Sequence, residues 1–354
     1  SLAQDNDGVT VQLGDQSTVR AEYLVGCDGA HSAVRTMLNI GFAGKQYQTH
    51  ILLADVQLAN PPADGLAAAT SPDGVVLLVP FGDGWFRAIA WDRTRENVPL
   101  SEPVPLSEIR NSLLRIAKTD FGVGEMRWST RFLSERRQAD RYRVGRCFIA
   151  GDAAHVHSPL GAQGMNTGIQ DAMNLGWKLA SAVKGTAPAR LLDSYQRERH
   201  AVGANVLKLT DAFNQLVLGR SLPRRLLRRI AITALLSTRP TRRAMAGRLS
   251  GIAISYPRKR DDHRLVGRRM PDASCSGTRV YELLRDGRFL LVTKGGLMLD
   301  RADVTCAVTD DDQLPPAVLI RPDGYVAWAG EAAEAPAAVL NWCGRAELAN
   351  SPRQ

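Results

Sequence analysis

Alternating hydrophobic and polar positions predict a series of β-strands in the first half of the chain. Residues 9–13 read VTVQL, a GDQS turn follows, and residues 19–29 continue as VRAEYLVGCDG, which together are typical of a hairpin. Further strand-like runs are HILLADVQL, GVVLLVPF, WFRAIAW and EMRWSTRFLSERRQA, with turns such as NPPADG and SPDG between some of them. Because several of these strands follow one another without a helix, we expect an antiparallel sheet over residues 49–92 and 126–136.

Apolar residues at three- and four-residue spacing predict helices in other parts of the chain. HSAVRTML has this spacing, and LSEIRNSLLRIAKTDFG predicts a helix with a serine at its amino-terminal cap. A helix is predicted over residues 164–184, followed by a longer one beginning near PARLLDSYQ. RSLPRRLLRRIAITALL and RPTRRAMAGRLSG predict two short basic helices. From about Leu265 onward, short strands and helices up to the final EAPAAVLNWCG predict a compact α/β module.

The positive charge of the chain is concentrated in one segment. The net charge is +9, and residues 220–269 contain fifteen Lys and Arg against two acidic residues, whereas the remainder carries about −4. This segment has a single aromatic residue, Tyr256, and its arginines alternate with Leu and Ile at helical spacing. We therefore expect solvated helix faces or the subunit contact of a homodimer, and no nucleic-acid partner. No run approaches the roughly eighteen apolar residues of a membrane span, so no membrane partner is expected.

The cysteines and histidines do not form a metal-binding pattern. The five cysteines are odd in number, widely spaced and without a C-x-x-C pair, which favours small buried residues in a reducing cytoplasm. His155 and His157 are two residues apart with no Cys or Glu nearby, so we expect them to pack or to hydrogen-bond within their loop. No metal site is predicted.

The first motif with recognisable chemistry is VGCDGAHSAVR, residues 25–35. A short strand ends at Asp28 and Gly29, and Ser32 is placed to cap the helix that follows. The motif offers a carboxylate acceptor, a glycine that permits close approach, and the cation of Arg35. This set suits a ribose hydroxyl and a pyrophosphate, although an ordinary Asp-Gly turn and a surface arginine explain it equally well.

The second motif, GDAAHVHSPLGAQGMNTG at residues 151–168, lies between an apolar strand and the predicted helix 164–184. Ligands of open α/β sheets bind at such strand-to-helix junctions. Asp152 can accept a hydrogen bond from a sugar-like hydroxyl, and Pro159 fixes the chain direction. Gly161 and Gly164 expose backbone N–H groups at the amino end of the helix. This geometry favours a ligand that is, or becomes, anionic.

Both motifs resemble those of the FAD-dependent aromatic hydroxylases related to para-hydroxybenzoate and phenol hydroxylases. CDGAHSAVR is similar to that family's second nucleotide-binding motif, CDGxxSxVR, which contacts FAD and is implicated in the use of NAD(P)H. GRCFIAGDAAHVHSPLGAQGMNTGIQDAMNLGWKLA matches its ribityl- and isoalloxazine-binding motif almost throughout. The departure is Ala162, where the family usually has glycine; the added methyl is tolerated unless that residue needs a positive φ.

The resemblance implies roles in FAD binding for residues of both motifs. Asp152 would hold the ribityl chain, Pro159 would lie against the flavin ring, and residues 161–166 would lie at its pyrimidine edge. The residues expected to bind FAD are Asp28, Gly29, Arg35, Gly151, Asp152, Pro159, Gly161, Ala162, Gln163, Gly164, Met165 and Asn166. No catalytic residue is assigned. Four residues of the predicted sheet are candidates for lining the substrate pocket, although each is also an ordinary sheet residue: Trp85, Arg87, Trp128 and Arg131.

The resemblance also implies a reaction. NAD(P)H would reduce FAD, O2 would add at flavin C4a, and the terminal oxygen of the hydroperoxide would pass to a phenolic or polyketide-like aromatic substrate. The amino end of helix 164–184 would stabilise the negative charge of the reduced flavin. The predicted function is an FAD- and NAD(P)H-dependent aromatic monooxygenase.

The implied architecture combines α/β and α+β parts in five segments. They are an incomplete Rossmann-like FAD-binding domain over 1–45, an inserted antiparallel-sheet substrate domain over 46–138, the rest of the FAD-binding domain over 139–220, a basic helical connector over 221–263, and a thioredoxin-like α/β domain over 264–354. Without a C-x-x-C pair, the last domain is expected to pack or dimerise.

One feature of the family is absent from this sequence. Its members begin with a strand, G-x-G-x-x-G and a helix that bind the ADP pyrophosphate of FAD, and no such fingerprint occurs here. By comparison, we expect that the chain starts inside the FAD-binding domain. The alternative to an active monooxygenase is therefore a non-catalytic fragment that needs the missing segment.

Overall fold

The computed structural model describes residues 1–63, 65–157, 163–188, 190–218 and 238–344. The strands are β1 (Leu2–Gln4), β2 (Val9–Gln12), β3 (Thr18–Ala21), β4 (Leu24–Gly26), β5 (Phe42–Leu58), β6 (Ala67–Ser71), β7 (Gly74–Pro80), β8 (Trp85–Asp92), β9 (Val123–Ala139), β10 (Arg143–Val144), β11 (Cys147–Ile149), β12 (His155–Val156), β13 (Ser274–Cys275), β14 (Thr278–Arg279), β15 (Phe289–Thr293), β16 (Val304–Val308), β17 (Ala317–Ile320) and β18 (Val326–Gly330). The α-helices are α1 (Ala33–Met37), α2 (Leu106–Ala117), α3 (Gly164–Val183), α4 (Leu191–Leu218), α5 (Arg239–Leu249), α6 (Val280–Leu283) and α7 (Ala335–Cys343).

A small sheet of order β10-β11-β4 carries the two sequence motifs. β4 and β11 are parallel, with Val25 opposite Phe148 and Gly26 opposite Ile149. The predicted hairpin of β2 and β3 is confirmed, but β4 leaves it for this second sheet. All three residues of β11 are buried, so this strand needs a hydrogen-bonded neighbour that is itself apolar. The apolar residues of β4 meet that need.

The predicted antiparallel sheet is confirmed as six strands in the order β12-β9-β5-β8-β7-β6. One face packs on α2, where alternate residues of β5, including Leu52, Ala54 and Val56, join Leu113 in a buried core. The predicted serine cap of α2 is wrong. The cap position is Pro105, which has no side-chain hydrogen bond to offer, and the helix begins at the next residue.

The helices after the second motif also match the prediction. α3 and α4 pack together beside the small sheet, joined by a short connection. The second predicted basic helix is α5, while the first lies outside the described residues. The predicted domain boundaries stay predictions; β5 runs across position 46, and β12 extends the large sheet from the far side of position 139.

The carboxyl-terminal module is a four-stranded sheet of order β16-β15-β17-β18 with α7 on one face. β15 and β16 are parallel, and the other pairs are antiparallel. The turn between β17 and β18 carries Arg321 and Asp323, both buried. The mixed α/β architecture with an antiparallel sheet agrees with the predicted fold class.

Candidate cofactor site

The parallel pairing of β4 with β11 brings the two motifs together at one sheet edge. The backbone N–H of Ala150 donates to the carbonyl of Gly26 at 3.0 Å, just before both chains turn toward their helices. Arg35 then ties the two turns to each other. Its guanidinium donates to the carbonyl of Ala153 at 3.0 Å and to that of Ala30 at 2.8 Å.

Arg35 is buried and lies 3.8 Å from the centroid of the Phe42 ring. Burial lowers the pKa of its guanidinium, an effect that the neighbouring carboxylate of Asp28 partly offsets. The alternative of a surface arginine is therefore wrong. Its bonds to Ala30 and Ala153 show that it holds both turns in position. Its direct contact with a nucleotide stays a prediction.

Asp28 begins the helix of the first motif. Its carboxylate accepts hydrogen bonds from the Ser32 hydroxyl and, at 3.0 Å, from the backbone N–H of Val34. Partial burial opposes ionisation of Asp28, but these hydrogen bonds hold its pKa below the ordinary value. Gly29 has a φ of +81°, which favours glycine at this turn. Ser32 caps α1 as predicted, since its hydroxyl accepts from the N–H of Arg35.

The second motif begins with a sharp turn after β11. Gly151 has a φ of +60°, and a methyl added there would lie 3.8 Å from the Cα of Gly168 in α3. Its backbone N–H donates to Asp171 at 3.0 Å. Asp152, the next residue, is exposed, and within the described part of the chain its carboxylate makes no hydrogen bond or ion pair. The turn thus presents a free acceptor at the end of a buried strand.

The amino end of α3 supplies the donors of the site. The first helical hydrogen bond runs from the N–H of Thr167 to the carbonyl of Gln163, so the amides of Gly164, Met165 and Asn166 have no partner within the helix. Met165 and Asn166 are exposed, whereas Gln163 is buried and donates to the carbonyl of Arg248 in α5. The predicted contacts of Pro159, Gly161 and Ala162 lie outside the described residues.

Behind this surface, Asp171 joins the turn to α3 and α4. It accepts from the His155 ring at 2.7 Å and from Nε of Arg199 at 2.6 Å, in addition to Gly151. Burial raises the pKa of Asp171, but the hydrogen bond from His155 and the charge of Arg199 outweigh it, so the pKa stays below its ordinary value. As expected from the sequence, His155 is a buried hydrogen-bonding residue of its loop.

Sequence reasoning missed Asp171, Lys178, Glu198, Arg199 and Arg321, which are all buried and ion-paired. The sequence contained one signal for the residues on α3. In IQDAMNLGWKLA, polar residues recur at 171, 174 and 178, which is one face of a helix, and that face is buried here. Their partners are distant in sequence and gave no comparable pattern.

The four candidate pocket residues do not all lie on the same face of the large sheet. Arg87 lies on the face turned away from α2, where it pairs with Asp55 and lies 5.3 Å from the Trp128 ring centroid. Arg131 lies on the opposite face and donates to Glu108 of α2 at 2.8 Å. The candidacy of Arg131 is therefore wrong, because its charge is used to pack α2 on the sheet.

The face that holds Arg87 is half-buried and carries an aromatic and cationic cluster at one end. The guanidinium of Arg127 lies 4.6 Å from the ring centroid of Trp85, and that of Arg87 lies 5.2 Å from Phe81. Further along the same face are Leu53, Leu77, Ile89 and Thr130, which are paired across the strands. An aromatic ring system with a polar end would fit this surface.

The residues of the site fit a flavin dinucleotide. The carboxylate of Asp152, which has no partner in the described ranges, suits a ribityl hydroxyl, and the amides of the first turn of α3 suit an anionic ring edge. Within the described ranges, no group of three or more His, Cys, Asp or Glu side chains comes together as a metal site. Among the helices described, none is both long and apolar enough to cross a membrane.

Comparison with known proteins identifies the two parts of the chain. Residues 1–210 match the family model "FAD binding domain", and residues 263–346 match "Aromatic-ring hydroxylase, C-terminal". The rifampicin monooxygenase of Streptomyces venezuelae is 41% identical over 344 residues, which cover 93% of this chain and 70% of that protein. A 12-dehydrotetracycline 5-monooxygenase/anhydrotetracycline 6-monooxygenase of Streptomyces rimosus is 38% identical over 93% of this chain and 71% of its own length.

A solved structure agrees with this assignment. Anhydrotetracycline hydroxylase from Streptomyces rimosus superposes with a TM-score of 0.81 at 33% identity, covering 98% of this chain and 75% of the other. The FAD-binding match spans more than half of the chain, and it includes both motifs and the helices that hold them. The chain belongs to the family of FAD-dependent aromatic monooxygenases.

Proposed function

We propose that this chain works as an FAD- and NAD(P)H-dependent monooxygenase, which holds the flavin and hydroxylates an aromatic substrate, a phenolic or polyketide-like ring system. The observation that carries the proposal is that the exposed Asp152 carboxylate and the first-turn amides of α3 lie in one motif, with no hydrogen-bond partner among the described residues. The names of the relatives, which refer to rifampicin and to anhydrotetracycline, support a polyketide-like substrate.

When bound, FAD would supply the redox chemistry, with NAD(P)H as the reductant and O2 as the source of the transferred oxygen. The chain's own groups bind and orient it. Asp152 would accept a hydrogen bond from the ribityl chain, and the amides of Gly164, Met165 and Asn166 would stabilise the negative charge of the reduced flavin. Arg35 and Asp171 hold the turns that present these groups.

The half-buried face of the large sheet provides the substrate surface in this proposal. Arg87 and Trp128 lie at one end, where the guanidinium can meet an acidic or enolic oxygen while the indole stacks on a ring. A thioredoxin-like carboxyl-terminal module is supported by its mixed four-stranded sheet with α7 on one face. The five cysteines are free thiols, which supports a cytoplasmic protein.

The test is the spectrum and turnover of the purified chain after incubation with FAD. We expect the visible bands of bound flavin, and NAD(P)H oxidation that rises when a phenolic or polyketide aromatic is added. Asp152→Ala should weaken FAD binding by about 10-fold, the usual cost of a lost hydrogen bond to a polar group. Asp193→Ala is the matched control, because it removes an exposed carboxylate paired with Arg143 on the surface.

Two outcomes would contradict the proposal. A chain that stays colourless with excess FAD does not hold the cofactor by itself. Equal FAD affinity in the Asp152 and Asp193 variants would remove Asp152 from the site.

A further inference from the structure

A buried cation of the carboxyl-terminal module, Arg321, lies between that module and the helices α3 and α4. Arg321, in the β17–β18 turn, donates to both carboxylate oxygens of Glu198 in α4, at 2.8 and 3.1 Å. Its other side pairs with Asp323. Glu198 also accepts from Nζ of Lys178 in α3 at 2.9 Å and from the Asn174 amide. One carboxylate thus joins α3, α4 and the terminal module.

Aromatic rings hold the Arg321 guanidinium in a single place. Four ring centroids lie 5.0 to 5.7 Å from its central carbon, those of Trp177, Tyr256, Tyr325 and Trp342. A planar cation that stacks on rings and forms a two-bond fork has little freedom to re-aim. Any displacement of the turn would therefore move Glu198.

Glu198 is followed by Arg199, and this adjacency connects the terminal module to the cofactor turn. Neighbouring residues on a helix project about 100° apart, so Glu198 reaches the module while Arg199 reaches Asp171. Asp171 in turn accepts from the backbone N–H of Gly151. Tyr256 makes a second link, since its hydroxyl accepts from Arg199 at 3.4 Å and its ring lies against Arg321.

We propose that Arg321 is a positioning residue for the cofactor turn, acting through Glu198 and Arg199 on Asp171 and Gly151. The path runs from a module outside the FAD-binding match to the residue beside Asp152. In this arrangement the terminal module holds α4, and through α4 it holds the turn and the start of α3 in the geometry that receives the flavin. The flavin part of this inference rests on the proposed function, whereas the coupling between Arg321 and the turn does not.

The first test needs no cofactor. Hydrogen–deuterium exchange followed by mass spectrometry compares the wild-type chain with Arg321→Gln. We expect peptides that cover residues 151–156 and the first turns of α3 to exchange about 10-fold faster in the variant, because coupling between sites commonly changes an equilibrium by roughly 5- to 150-fold. Arg321→Lys keeps the charge without the fork and should restore part of the protection.

Arg301→Gln is the matched control. Arg301 also lies in the terminal module, where it pairs with Asp303 and donates to the carbonyls of Cys343 and Gly344. Within the described residues it makes no hydrogen bond or ion pair with α3 or α4. Loss of protection in this variant should stay within the terminal module. Tyr256→Phe keeps the ring and removes the hydroxyl, so it tests the second link if Arg321→Gln fails to fold.

The second test uses bound FAD. We expect Arg321→Gln to weaken FAD binding by about 10-fold and to shift the visible bands of the flavin, as loss of a supporting partner commonly costs roughly 10- to 100-fold in affinity, while Arg301→Gln changes neither. If the wild-type chain binds no FAD, the proposed function fails for this chain, and the exchange experiment still decides the coupling. Unchanged exchange at residues 151–156 in both Arg321→Gln and Tyr256→Phe would overturn the inference.

Discussion

The two sides of α3 depart from the usual distribution of polar and apolar residues. The side that faces α4 and the small sheet buries Asp171 and Lys178, which are ion-paired, and Asn174, which is hydrogen-bonded to Glu198. The opposite side exposes an apolar stripe of Met165, Ile169 and Met173, with exposed fractions of 79%, 54% and 54%. A surface helix normally turns its apolar side inward.

The difference shows that specific polar pairs, in addition to the buried Leu175, hold α3 against the rest of the protein. Each buried charge on α3 has a partner in α4, so the helix has one register against α4. The apolar stripe has no such partner within the described residues, and an exposed apolar patch of this kind marks a surface for contacts. The two sides therefore predict opposite responses to substitution.

The largest effect is expected on the buried side, at Asp171. Asp171→Asn removes the charge that compensates Arg199, and an uncompensated buried cation typically costs about 3–5 kcal/mol. We expect the free energy of unfolding in urea to fall by about that amount. Asp193→Asn, which breaks an exposed ion pair with Arg143, should cost less than about 1 kcal/mol. Equal costs would mean that the Asp171 pair adds no more than a surface pair does.

The buried side should also make the chain sensitive to acid. Burial raises the pKa of Glu198, but the charges of Arg321 and Lys178 outweigh it and lower the pKa from 4.5 to about 2. The resulting stability is fully present above pH 4.5 and is lost as the pH falls toward 2, by on the order of 3 kcal/mol. The pKa of Asp171 is lowered too, which adds a loss of the same sign. Urea unfolding at a series of pH values measures this loss of stability.

Lys178→Met sharpens this prediction. Burial lowers the pKa of Lys178 to about 8 even though Glu198 opposes the shift, so its ammonium is still present at acid pH. Removing it takes away one of the two cations that lower the pKa of Glu198. The loss of stability on acidification should therefore be smaller in the variant. The same pH dependence in both proteins would show that Glu198 is not the group that titrates.

Much of the site could be predicted from the sequence because it rests on local signals. The strand before Gly151, the cap at Ser32 and the start of α3 near Gly164 each follow from residues within one turn of the chain. The ion network could not be predicted, since Arg321 and Glu198 are 123 residues apart and only the packing of the terminal module joins them. The error on Arg131 has the same origin. Alternation placed it on a strand, but the face that receives α2 is set by tertiary packing.

A smaller effect is expected at the turn that joins the two sides of the site. Gly151→Ala places a side chain at a φ of +60°, which costs about 1–2 kcal/mol, and it should weaken FAD binding because Asp152 is displaced. Gly176→Ala is the control within α3. A methyl there meets no atom within 4 Å, and alanine favours a helix over glycine by up to about 1 kcal/mol. We expect thermal unfolding to shift downward in the first variant and upward in the second.

The smallest effect on stability is expected on the apolar stripe. Ile169→Gln replaces a side chain that is 54% exposed, so the free energy of unfolding should change by no more than about 0.5 kcal/mol. The binding of a hydrophobic dye and the light scattering of concentrated protein should both fall, because the substitution divides the stripe between Met165 and Met173. The prediction would be contradicted if the free energy of unfolding fell by more than about 1 kcal/mol and the fall depended on protein concentration. It would mean that another surface covers Ile169 in solution, and that both sides of α3 are interior.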